Sequence, residues 1–188
     1  MYFRFGRSRL AIALATAVAV TAIGAAVAMA ASSTPAGGSF RVFGVSNGLG
    51  PSGSVLVTGA VGDHGRSQTV NKAGKPSSGG TYVKLTLSQG TVMLNQLKLG
   101  MAINKAFGKA VPNTATCSVS VVASATLPIV SGTGLYANAS GSAHITIAIG
   151  FIQPRYRSGA RAGKCNFGNN VAPISSQQIV YGTGNVTF

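Results

Sequence analysis

Acidic residues are almost absent from this chain: Asp63 is the only one, and glutamate does not occur. Glycosidase-type catalysis needs two carboxylates flanking one bond, so that chemistry is excluded. A Ser-His-Asp triad would have to pair Asp63 with His144, because neighbours Asp63 and His64 on a strand point to opposite faces. No G-x-S-x-G segment presents a nucleophile for it. Cysteine is nearly as scarce. Cys117 and Cys165 are the only two, too few for a multi-thiolate structural metal site. A catalytic metal would need three ligands from Asp63, His64, His144 and a free cysteine, with no spacing to favour it. No cofactor, metal or catalytic residue is expected, and the reading leans away from an enzyme.

Long hydrophobic runs are also lacking, with one exception at the N-terminus. Arg4, Arg7 and Arg9 precede an uncharged, Ala/Val-rich run over 10–29, which ends in Ala28-Met29-Ala30-Ala31. A basic n-region, an apolar h-region and an A-x-A site are the three parts of a secretory signal. Cleavage is expected after Ala30, with Ala31 the next choice. The alternative is an uncleaved N-terminal helix anchoring the protein, since about 20 apolar residues can span a bilayer. Thr16, Thr21 and Gly24 interrupt this run, and no basic cluster follows to stop transfer. The expected organisation is a signal-peptide helix over 1–30, a flexible linker over 31–39 and a single domain over 40–188. With no second hydrophobic span, the mature chain is expected to be secreted, without a membrane span.

What is present in excess is positive charge. After residue 30 there are twelve Lys and Arg against one Asp, a formal charge of +11. Such a surface attracts polyanions such as nucleic acid, envelope polymers or anionic lipid headgroups, and salt weakens the attraction. Arg155, Arg157, Arg161 and Lys164 fall in one Gly-containing stretch with Tyr156 between two of the arginines. Basic residues interleaved with an aromatic are a candidate polyanion contact, and a solvated loop pinned by Cys165 is the plainer reading. No nucleic-acid-binding motif accompanies them. In an exported chain the even cysteine count points to a Cys117–Cys165 disulfide.

The rest of the chain reads as strands and turns. Val83, Leu85 and Leu87 alternate with Lys84, Thr86 and Ser88, and Ile145, Ile147 and Ile149 alternate with His144, Thr146 and Ala148. Cys117, Val119 and Val121 alternate with two serines in the same way. Period-2 alternation places one set on a core face. Further strands are expected over 40–45, 54–61, 91–94, 178–181 and 185–188, with turns at Asn47-Gly48, Gly50-Pro51 and Gly79-Gly80. Only 101–111 reads as a short helix or loop, on the spacing of Ile103, Phe107 and Ala110. His64 is expected in a turn, and His144 on the face opposite the isoleucines. The fold class is all-β: an antiparallel barrel of about eight strands, with a β-sandwich as the alternative.

The segment Gly132-Thr133-Gly134-Leu135-Tyr136-Ala137-Asn138-Ala139-Ser140-Gly141 precedes an alternating strand. It formally matches a dinucleotide fingerprint, but a strand follows where a helix N-terminus would have to meet the pyrophosphate. The glycines instead suit a tight turn with Tyr136 packing beneath. This segment resembles the G-T-G-x-[YF]-x-x-x-x-G turn of the allene oxide cyclase and dirigent-like barrels, and is similar to that of the uncharacterised secreted bacterial members of the group. The stretch 54–65, with Val57-Thr58-Gly59-Ala60-Val61-Gly62-Asp63, is similar to an early strand pair of that group. The resemblance implies a barrel of about eight antiparallel strands that can enclose one small apolar ligand. In plant members acidic side chains assist a cyclisation or coupling, and a chain without glutamate does not inherit that activity. It also points to bacteria, where the sequons at Asn138 and Asn185 have no role. Two functions follow: a secreted, non-catalytic barrel binding a small apolar ligand, or a cationic extracellular or envelope protein adhering to polyanions.

Overall fold

The computed structural model describes residues 36–47, 50, 52–168 and 170–188, so the expected signal peptide lies outside the described residues. Strands β1 (Gly38–Asn47), β2 (Ser52–Gly59), β3 (Asp63–Val70), β4 (Tyr82–Leu87) and β5 (Gly90–Asn95) follow in order. Helix α1 (Leu97–Phe107) comes next, then β6 (Ser118–Gly134), β7 (Ser140–Ile152) and β8 (Ser175–Thr187). Each strand pairs antiparallel with its sequence neighbour, and β1 pairs with β8 to close an eight-stranded barrel. Closure of all eight strands into one ring rules out the sandwich.

The alternating strands behave as their patterns dictate. Leu85 and Leu87 of β4, and Ile145, Ile147 and Ile149 of β7, point into the core, while His144 is exposed on the outside. Three boundaries differ from expectation. Gly38 and Ser39 belong to β1 rather than to a linker, and backbone carbonyl Val186 O lies 2.7 Å from where a Cβ on Gly37 would sit. The stretches 178–181 and 185–188 are parts of one strand, β8, which runs unbroken beside both β7 and β1. Strand β3 is absent from the expectation, and His64 is its second residue, paired with Leu56, instead of a turn residue.

Helix α1 starts four residues before the expected Met101 and stops at Gly108, whose N–H bonds to Asn104 O. Its position follows from a mismatch in strand length. Strand β5 pairs only with the last part of β6, from Ile129 to Gly134, which leaves the first part of β6 paired on one side by β7 alone. The helix packs against β6 there, turning Leu99, Ala102, Ile103, Ala106 and Phe107 to the core. Phe107 meets Phe151 of β7 with ring centroids 6.0 Å apart.

A meander of this kind has two distinct ends. The connections β1–β2, β3–β4, β5–β6 and β7–β8 share one of them, here termed the loop end. The connections β2–β3, β4–β5 and β6–β7 share the other, the turn end, with the start of β1 and the finish of β8.

Candidate functional site

The turn end is built around the sole acid. Asp63 opens β3 with its side chain inward and is 5% exposed. Its Oδ1 accepts from His64 N at 2.6 Å, Ser88 N at 3.2 Å and Ser88 Oγ at 2.7 Å. Its Oδ2 accepts from Gln89 N at 3.1 Å and from the Tyr136 hydroxyl at 2.7 Å. Burial opposes the charge on Asp63, but the bonds from Ser88, Tyr136, His64 and Gln89 outweigh it and hold the carboxyl well below the usual carboxylate range. The phenol of Tyr136 is pushed above its ordinary range by burial, and further by the bond to Asp63 and its charge. The proton therefore stays on the Tyr136 oxygen and the charge on Asp63, and the bond between them locks the β6–β7 turn to the start of β3.

The glycine-rich turn exists to deliver Tyr136 to that bond. Gly134 has φ +64°, and a Cβ there would strike the carbonyl of Gln89. A Cβ on Gly132 would strike the carbonyl of Tyr136 itself. Thr133 ties the turn sideways, its hydroxyl 2.8 Å from that of Thr91, and Gly141, the second residue of β7, lies too close to the Asn185 carbonyl for a Cβ. Leu135 N bonds to Gln89 O at 3.0 Å, so the turn and the acid grip the same β4–β5 connection. The Gly132–Gly141 turn and the start of β3 therefore meet at one hydrogen bond, Tyr136 to Asp63. Sequence reading found Tyr136 as a packed turn residue and missed its partner, 73 positions away.

Above this lock the barrel encloses a cavity of about 140 Å³ that reaches Ser46, Ser52 and Gly53 at the loop end. Val57, Leu85, Leu94, Ile129, Ile147 and Val180 are among its walls, and Leu99 of α1 joins them. Polar atoms gather toward the loop end, where Ser67, Thr69, Gln96 and Gln178 form an uncharged collar. Gln96 is held there by its Nε2, which donates to Gly80 O, Tyr82 O and Thr69 Oγ1 at 3.2–3.3 Å. No charged residue is among the described residues that line the cavity. Its volume is close to that of an engineered apolar cavity of about 150 Å³ that stays dry and holds benzene. Neither Asp63 nor His144 reaches it: the first is engaged below, and the second faces outward beside Thr126. Asp63 and His144 are therefore not gathered into a triad, and no cluster of metal-ligating side chains occurs among the described residues.

The basic residues fall mostly at the loop end. Lys72 and Lys75 stand in the β3–β4 connection, and Lys98, Lys105 and Lys109 on or just after α1. Arg155, Arg157, Arg161 and Lys164 stand in the β7–β8 connection, all exposed. The expected cluster is divided in role. Arg155 spends its guanidinium on backbone carbonyls, Gly163 O and Ala115 O, each at 2.6 Å, and so is a strut rather than a free contact. Arg161 lies over the Tyr156 ring at 5.7 Å, which occupies the aromatic face expected to stack on a ligand. Arg157 and Lys164 remain free of such contacts. Cys117 and Cys165 form the expected disulfide, joining the start of β6 to this loop. A disulfide fits an oxidising compartment.

The fold and site thus define a closed antiparallel β-barrel with an apolar lumen. No family model, curated protein or solved structure matches the chain.

Proposed function

We propose that this chain is an exported, non-catalytic barrel that binds one small apolar ligand in its lumen. The observation that carries the reading is the apolar cavity, opening through an uncharged collar at one end while the Asp63–Tyr136 lock closes the other. A cavity of about 140 Å³ suits a single ring or a short branched chain. Orientation would come from the collar, where Ser67 and Thr69 can offer hydroxyls to one polar substituent. The likeness of the Gly132–Gly141 turn to dirigent-like barrels supports the same reading, and the disulfide together with the N-terminal basic-apolar pattern supports export.

Two measurements test it. Native mass spectrometry of the protein from its host's culture medium should show a chain beginning at Ala31 or Ser32, with an added mass that is lost on denaturation. Benzene titrated into isotope-labelled protein should shift the resonances of Ile129, Ile147 and Val180, which line the lumen. Ser67→Leu fills that space from β3 and should abolish the benzene shifts while leaving the fold intact, since Ser67 makes only a long 3.4 Å bond to Gly53 O. Benzene shifts of equal size in Ser67→Leu, or none in the wild type, would refute a ligand-binding lumen.

A further inference from the structure

The cations at the loop end share their surface with apolar side chains that no other described residue covers. On α1, Leu97 is 51% and Met101 64% exposed, one helical turn apart. Lys98 and Lys105 are exposed on the same helix. Beyond it Val111 is 90% exposed, and Ile174, just before β8, is 70% exposed. These residues belong to two connections that are tied into one surface by the Cys117–Cys165 disulfide and by Arg155 bonding to Ala115 O. No carboxylate side chain can neutralise this surface, because the only one in the chain is Asp63, at the turn end. Among the described residues the cations are therefore concentrated toward one end of the barrel axis.

Unpaired lysines and arginines interspersed with protruding Leu, Met, Val and Ile are the composition of an interfacial membrane-binding face. A soluble polyanion would be held by the cations alone and would leave the apolar side chains in water. We propose that the loop end of the barrel docks on anionic bilayers, its lysines on lipid headgroups and Leu97, Met101, Val111 and Ile174 in the interfacial layer. This docking stands on surface residues and does not require the lumen to hold a ligand.

The test is flotation with vesicles of mixed phosphatidylglycerol and phosphatidylcholine, with pure phosphatidylcholine as the reference. All variants are compared in the same disulfide-bonded chain, so that any contribution of residues 1–35 is common to them. The wild type should float with the anionic vesicles and be released by salt. Lys98→Ser, Lys105→Ser and Lys109→Ser together should lower the partition constant by roughly fivefold per lysine. Leu97→Ser with Met101→Ser should weaken vesicle binding while leaving binding to heparin, a soluble polyanion, unchanged. Arg41→Ser with Arg66→Ser, which remove the same kind of charge from the barrel wall, should have little effect. Vesicle binding that ignores Leu97 and Met101, and is matched by heparin binding, would make the face a polyanion site instead. Equal loss from the wall arginines would reduce the effect to net charge, and absence of anionic-vesicle binding would overturn the proposal outright.

Discussion

Replacing Asp63 by alanine should cost about 3–5 kcal/mol of folding stability, a large share of the roughly 5–15 kcal/mol that a domain possesses. The carboxylate accepts bonds from His64 N, Ser88 N and Oγ, Gln89 N and the Tyr136 hydroxyl. Truncation leaves these donors facing a hole, and each buried donor left unpaired costs about 1–3 kcal/mol. The sum is reduced because Ser88 N also bonds His64 O, and because water can enter the space left behind. For a domain of this length the melting temperature should fall by about 10–15 °C. Tyr136→Phe removes one of the donors and should cost about 1–3 kcal/mol, being a bond to a charged group. The two losses should be less than additive in the double variant, since both remove the same contact. Thermal unfolding of the three proteins decides the matter. A shift under about 3 °C for Asp63→Ala would show that the lock contributes nothing substantial.

The same carboxylate sets the response to acid. Its folded pKa lies below its unfolded value, so between the two the unfolded chain binds a proton that the folded chain does not. Stability from this group is fully present above about pH 5 and declines as the pH falls toward the folded pKa. Most proteins lose many carboxylate contacts over that range; this one has a single side-chain carboxylate to lose. Denaturant unfolding at a series of pH values should therefore give a flat stability from about pH 5 to about pH 9, below the range where unfolded tyrosine ionises, and a decline of up to about 1.4 kcal/mol per pH unit below pH 5, the slope of one proton. Asp63→Ala should remove that decline. A steeper slope, or one that survives the substitution, would place the acid sensitivity elsewhere.

Legibility in the sequence tracked whether a residue's partner was a packed core. Strands β4 and β7 could be read because Leu85, Leu87 and the three isoleucines alternate against polar neighbours and do pack inward. Strand β3 could not, because neither of its faces is apolar: His64, Arg66 and Gln68 point outward while Gly65, Ser67 and Thr69 point inward. Its inner face borders the cavity and the collar, so it need not be apolar. The strand that hid from pattern reading is thus one that borders the cavity. Helix α1 was displaced for a different reason. Ile103 and Phe107 do face the core, but the third inward position extends back to Leu99 rather than only forward to Ala110, and Gly108 ends the helix. The lock between Asp63 and Tyr136 was illegible as a pair, although each half was noticed: a sole acid in a cationic chain, and an aromatic beneath a glycine turn. Nothing local joins positions so far apart; the meander does, by returning every second connection to the same end.

Removing the disulfide should have the other large effect. Cys117 and Cys165 are 48 positions apart, and closing a loop of that length in the unfolded chain is worth about 4 kcal/mol in the chain-entropy picture. Cys117→Ala with Cys165→Ala should therefore lower the melting temperature by about as much as Asp63→Ala. The two losses should nevertheless differ in character. Asp63 lies at the turn end, inside the ring of strands, whereas the disulfide ties a connection of the loop end to the start of β6. That connection has few other anchors: Arg155 to Ala115 O, Ile174 N to Ile152 O and Gln153 N to Cys117 O hold it at its base. Amide exchange in the double alanine variant should accelerate first over 154–173, while β4, β5 and the Gly132–Gly141 turn stay protected up to global unfolding. Asp63→Ala should do the reverse, loosening the turn end and sparing the β7–β8 connection. If both variants produced the same exchange profile, the two ends would unfold as one unit. In that case the stabilities of the lock and the cross-link should couple, which a cycle combining the two substitutions would measure directly.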